Sequence, residues 1–186
     1  MVEHCRGFRL ALPMTWFDVD VDPRTRRESI SGLISERAPG VDHAGGAGRL
    51  AAVIEGAAAE AQRRGAVLAA LFADVVDGRP VSASLVASVV RGRRGNESVD
   101  VIAGLVAELD GDVVELPAGR AVRCRPRQRA DAGDGPSLEV EIVDFYVPVP
   151  GEADVVLLSF STPNLDAGDA FAALFESLAS SLRFGP

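Results

Sequence analysis

Residues 137–186, SLEVEIVDFYVPVPGEADVVLLSFSTPNLDAGDAFAALFESLASSLRFGP, decide the fold. They divide into a strand (Ser137–Pro148), a tight Pro-Gly turn, a second strand (Asp154–Thr162) and a closing helix (Ala167–Phe184). In the helix, Phe171, Leu174, Phe175, Leu178 and Leu182 recur at i, i+3, i+4, i+7 and i+11, one apolar stripe at the helical period. Asp166 and Asp169 are placed to cap its N-terminus and complement its dipole. The strand before it puts Val156, Leu158 and Phe160 on one face and Val155 and Leu157 on the other. Apolar groups on both faces predict an internal strand, and the helix must return over one of them.

Working back from this unit, the chain supplies more strands in hairpins. Ala66–Val76 is apolar on both faces, Asp77-Gly78 is a hairpin turn, and Val81–Val90 alternates small apolar residues with Ser82, Ser84 and Ser88. Val113–Leu116 is a short strand, and Arg120–Arg129 pairs with Leu138–Phe145 across a polar turn, Ala130–Pro136. Gly7–Leu12 opens the chain as a strand that Pro13 ends. Three further helices are expected. One runs from the Asp22-Pro23 cap to Ala38, one spans Arg49–Arg64 with a small-residue inner face, and one runs from Asn96 to Leu109. Hairpin-linked strands predominate, so the fold class is α+β: a largely antiparallel sheet packed between helices, a layered α-β-α sandwich in a single domain over 1–186.

Composition narrows the function classes. A chain of 186 residues with 47% hydrophobic content is long enough to bury a sizeable core. A net charge of −8 opposes non-specific nucleic-acid binding. No apolar run is long enough for a membrane span, and Met1–Arg6 has no signal-peptide pattern. Cys5 and Cys124, far apart in sequence, are expected as reduced thiols in the cytoplasm, with an unforced disulfide between them as the alternative. Every basic residue is Arg, which with the Ala richness is the codon signature of a high-GC bacterial genome such as an actinobacterium.

Several constellations invite a chemical reading. Arg123, Arg125, Arg127 and Arg129 alternate along a strand and place four guanidinium groups on one side. They form either an anion-binding surface or a stripe neutralised across the hairpin, with Arg127 opposite Glu139 and Arg125 opposite Glu141. The absence of interleaved aromatics favours neutralisation. Arg91, Arg93 and Arg94 form a solvated loop or a partner contact.

Asp18, Asp20 and Asp22 imitate the start of a calcium loop, but Pro23 stands where glycine is needed and Ser29 where the bidentate glutamate belongs. His4 and His43, with the two cysteines, lack any metal-ligand spacing. There is no G-x-S-x-G elbow, and a chain without lysine cannot build a P-loop. No catalytic, cofactor or metal residue is therefore assigned. Trp16 and Phe17 are read as anchors of the first helix, with an exposed partner-binding patch as the alternative.

Two segments carry a family resemblance. Phe8-Arg9-Leu10-Ala11-Leu12-Pro13 with Trp16 resembles the F-x-L-x-(V/L)-P-x-x-W opening of PsbP-like proteins. Leu157–Pro163, followed by Phe171, Phe175 and Leu178, resembles their closing strand and helix. That superfamily includes the photosystem II extrinsic protein, a Ran-binding nuclear transport factor, and DcrB-like and LpqN-like bacterial proteins. The resemblance implies an antiparallel sheet between helices and a binding or assembly role, and it transfers no functional residue.

The expectation is thus a non-enzymatic module that binds an unidentified protein, without cofactor, nucleic acid or membrane. The alternatives are a small-molecule binder with a pocket between sheet and helix Arg49–Arg64, and an enzyme using Asp18, Asp20 or Glu141.

Overall fold

The computed structural model describes residues 2–5, 7–37, 55, 58–59, 61–77, 79–92, 101–130 and 138–185. Its main body is a sheet in the order β3-β4-β5-β10-β9-β7-β6, with β8 also pairing β9. The strands are β3 (Trp16–Asp18), β4 (Ala66–Val76), β5 (Arg79–Val90), β6 (Asp112–Leu116), β7 (Gly119–Cys124), β8 (Arg127–Ala130), β9 (Leu138–Pro148) and β10 (Val155–Thr162). Every pairing in it is antiparallel. A smaller sheet joins the two ends of the chain in the order β1-β2-β11, from β1 (Val2–Cys5), β2 (Phe8–Ala11) and β11 (Arg183–Phe184). The helices are α1 (Arg26–Arg37), α2 (Val101–Leu109) and α3 (Gly168–Ala179).

The antiparallel α+β class stands as expected, and so does the internal character of β10, which the structure sets between β5 and β9. Its alternate residues Val156, Leu158, Phe160 and Thr162 are all buried. They lie on the α3 side of the sheet, in a core that also takes Leu85, Phe145, Phe171, Phe175 and Leu182. Phe160 stacks on Phe175 with ring centroids 4.8 Å apart, and Phe145 meets Phe160 edge-on at 6.1 Å.

The alternation of β4 sorts two clusters. Leu68, Ala70 and Phe72 join the α3-side core. Ala69 and Leu71 join a second cluster with Val19, Ile30 and Leu33 of the α1 region and Ala58. The β4–β5 turn pairs Val76 with Arg79 across Asp77, whose φ of 51° is the left-handed value such a turn demands.

Several expectations are corrected. The continuous strand Arg120–Arg129 is broken at Arg125-Pro126, because proline has no N–H to give the ladder. Its carbonyl still accepts from the Ile142 N–H at 3.0 Å, and β7 and β8 keep one register on β9. That register differs by two residues from the expected one: Glu141 faces Arg127 and Glu139 faces Arg129.

The closing helix ends at Ala179 and not at Phe184, since Arg183 and Phe184 peel off to pair with Arg9 and Phe8. Leu182 is fully buried beyond the helix end. Asp166 and Asp169 do not cap it, for no side chain caps either helical segment there. They reach Arg79 and Arg125 instead.

The cap expected at Asp22 stands, since its Oδ1 accepts the Arg24 N–H at 3.0 Å and its carbonyl the Arg26 N–H at 2.9 Å, while the regular helix α1 begins only at Arg26. Trp16 is buried but anchors β3, not α1; its ring packs on Phe72 and Phe160 in the α3-side core. Of the helix expected over Arg49–Arg64, the described residues 55, 58–59 and 61–63 are helical. The helix expected from Asn96 is described from Val101 to Leu109. The segments 38–54, 93–100 and 131–137, which hold His43, Arg93 and Arg94, lie outside the described residues.

Candidate functional site

The small sheet does not close completely on the large one. Between them lies an open cleft of about 540 Å3. Gly7 and Phe8 of the first hairpin, with Phe184 and Gly185 of the C-terminal segment, form one wall. Val67 of β4, Val89 of β5 and Val156 of β10 form the other, and the β9–β10 turn supplies Val149, Pro150, Glu152 and Asp154. The strand pattern explains this lining. Val67, Val89 and Val156 belong to, or pack against, the α3-side core, where the small sheet replaces α3 as the cover. Phe8 and Val156 are the buried members of these two walls.

Charge collects at the mouth because strands end there. The β9–β10 turn is held by Val149 N–H donating to the Asp154 carbonyl at 2.9 Å, with Gly151 at φ 75°. Asp154 Oδ1 accepts the Gly92 N–H at 3.1 Å and ties the end of β5 to that turn. A side chain at Gly92 would collide with the backbone of Ala153. Arg91 and Glu152 are exposed.

A second polar group lies on the opposite face of the main sheet. Asp144 interrupts the apolar run of β9, opposite Cys124 of β7 and Ser159 of β10. Burial holds its carboxyl above the usual carboxylate range, opposed by the hydroxyl hydrogen bond from Ser159. Its Oδ1 is buried without a hydrogen-bond partner among the described residues. Burial, then the neighbouring Asp144, Asp112 and Asp110, push the Cys124 thiol up. Tyr146, two residues from Asp144 on the same face, is raised by burial and then by Asp144 and Cys124. All three groups are therefore held toward their protonated forms. A thiol so placed is the reverse of an activated nucleophile. Asp144 escaped sequence reasoning, although a carboxylate inside the apolar run Ile142–Tyr146 was a visible signal.

The residues singled out from sequence are dispersed. Arg123 and Arg125 do share the α3 side of the sheet, and both are neutralised there. Arg123 pairs with Glu176 at 3.0 Å and Asp112 at 3.5 Å. Arg125 reaches Glu141 at 2.5 Å and Asp169 at 3.2 Å, and the Glu141 hydrogen bond, the largest influence, raises its pKa.

Glu141 is 3% exposed and sits against the first turn of α3, where Gly168 leaves room for its carboxylate. Asp20 accepts hydrogen bonds from the Asp22 N–H and the Thr25 hydroxyl, so the acidic run organises its own loop. Asp18 lies on β3, four strand positions from Glu141 on β9, about 19 Å across the sheet. The carboxylates considered for catalysis thus do not meet. Among the described residues no group of three metal-ligating side chains is gathered. Nor is any helix among them long and apolar enough to cross a membrane.

The geometry defines an α+β protein with a mostly antiparallel sheet. No family model matches the chain. A stretch of 73 residues, 39% of this chain, is 47% identical to aclacinomycin 10-hydroxylase RdmB of Streptomyces purpurascens and spans 19% of that protein. A crystal structure from Bacteroides thetaiotaomicron is similar with a TM-score of 0.47 at 12% identity, over 97% of this chain and 46% of that one. The chain therefore covers less than half the length of either protein.

Proposed function

We propose that the chain is a non-catalytic bacterial binding module of the PsbP-like, layered α-β-α type, acting in the cytoplasm on a protein partner. The cleft carries this reading. It combines apolar walls from Phe8, Val67, Val89, Val156 and Phe184 with a charged mouth, the combination that receives part of another molecule. The clusters on either side of β4 support the layered arrangement. The protonated state favoured for Cys124 and the ion pairing of Glu141 support a non-catalytic role. The net charge of −8 supports a partner other than nucleic acid. A hydroxylase reading would rest on the partial likeness to RdmB alone.

The test compares the full chain with Val89→Glu as baits in native lysate. A partner retained by the wild type and lost by the folded variant is the expected result. Equal capture by both baits would place the contact elsewhere, and no change in hydrodynamic size in extract would remove the partner.

A second reading, a small-molecule binder, is favoured by the volume of the cleft. About 540 Å3 falls inside the range of roughly 300–1,000 Å3 typical of ligand pockets. The site differs from the one expected beside helix Arg49–Arg64, most of which lies outside the described residues.

A further inference from the structure

We propose that the cleft binds a short apolar peptide, two or three residues long, that carries both free termini. This rests on the small-molecule reading and names its ligand. Val90 pairs with Val155, so Arg91 and Asp154 stand one step beyond a paired position at the ends of β5 and β10. Asp154 nevertheless gives Oδ1 to the Gly92 N–H, and Arg91 makes no ion pair with any described residue. Glu152, in the β9–β10 turn, is likewise exposed and without an ion pair among the described residues.

Among the described residues that line the cleft, the mouth thus presents one guanidinium and one carboxylate without an ion pair above apolar walls. A lone carboxylate ligand would meet Glu152 and Asp154 as like charges, and a lone amine would meet Arg91. A ligand with one charge of each sign satisfies both.

Its length follows from the sheet. β5 and β9 flank β10, so Arg91 and the turn holding Glu152 lie within two strand spacings, about 10 Å. An extended peptide of two or three residues spans about 7–11 Å. Its apolar side chains would enter over Phe8, Val67, Val89 and Phe184. The walls supply affinity, and the solvated charges at the mouth select orientation and class.

Amide NMR titration of the full chain tests this with four probes: leucyl-phenylalanine, its N-acetyl amide, decanoate and phenethylamine. The expected result is saturable shifts at Gly65, Val67, Val89 and Val149 with leucyl-phenylalanine, and binding about tenfold weaker for the blocked form. Arg91→Ala and Glu152→Ala, both at exposed positions, should each weaken the free dipeptide several-fold and leave the blocked one unchanged. Equal binding of free and blocked peptide would overturn the proposal. So would tighter binding of decanoate or phenethylamine, which would leave a small-molecule site standing. Absence of cleft shifts with all four probes would remove the ligand and the small-molecule reading together.

Discussion

Gly168 shows how one residue can be dictated by a neighbour far away in sequence. A Cβ there would overlap the Glu141 carboxylate, which is buried and held by Arg125. Gly168→Ala should cost about 1–3 kcal/mol in chemical denaturation, as overpacking does. Gly104→Ala, exposed in mid-helix with nothing within 4 Å, should instead gain up to about 1 kcal/mol, and a similar gain for Gly168→Ala would show that Glu141 moves aside freely.

Asp144 gives a pH prediction. Burial raises its folded pKa above the unfolded value, so the folded state holds the proton more tightly. The stability this contributes is complete below the unfolded pKa and is lost as pH rises through the folded one. Asp144→Asn should therefore have a flatter stability profile from acid to neutral pH and gain on the wild type at neutral pH. A variant profile that falls as steeply as the wild type's would assign the effect to another group.

At the scale of elements, α3 is held by stacked rings and by charges. Phe175→Ala removes the ring stacked on Phe160 from a fully buried site, and it should cost about 3–5 kcal/mol. The only tryptophan, Trp16, lies edge-on to Phe160 at 6.4 Å, so its fluorescence follows the unfolding.

Arg125→Ala leaves Glu141 buried without its cation. The cost should be about 1–3 kcal/mol, and Arg125→Ala with Glu141→Gln should recover part of it in a double-mutant cycle. Additive effects of the two changes would show that the pair is not coupled. The arginine series illustrates what a strand pattern can and cannot convey. Alternation correctly placed Arg123 and Arg125 on one side, because side-chain direction is local. The hairpin register came out two residues away because the centre of a long polar turn is not marked by any single residue. Glu176 and Asp169, the partners on α3, lie 53 and 44 residues away and left no local trace.

At the scale of the molecule, the small sheet ties both chain ends to the main body. Stopping the chain after Leu182 would delete β11, remove Phe184 from the cleft and free the outer edge of β2. Thermal unfolding should then occur a few degrees lower, with the main sheet intact by circular dichroism. An unchanged midpoint would mean that β11 contributes little.

The sequence by itself determined the long strands β4, β5, β9 and β10, the hairpin at Asp77, the internal character of β10 and the apolar stripe of α3. Each follows from side-chain periods and turn residues within a few positions of one another. Only the tertiary structure decided the position of β10 between β5 and β9, the union of β2 with β11, the burial of Asp144 and the cleft itself. The contacts that make them join groups such as Ser84 to Ser161, 77 residues apart, and Ala11 to Ser181, 170 apart. Pairings over such separations are chosen by the packing of whole faces against one another, and no local pattern records that choice.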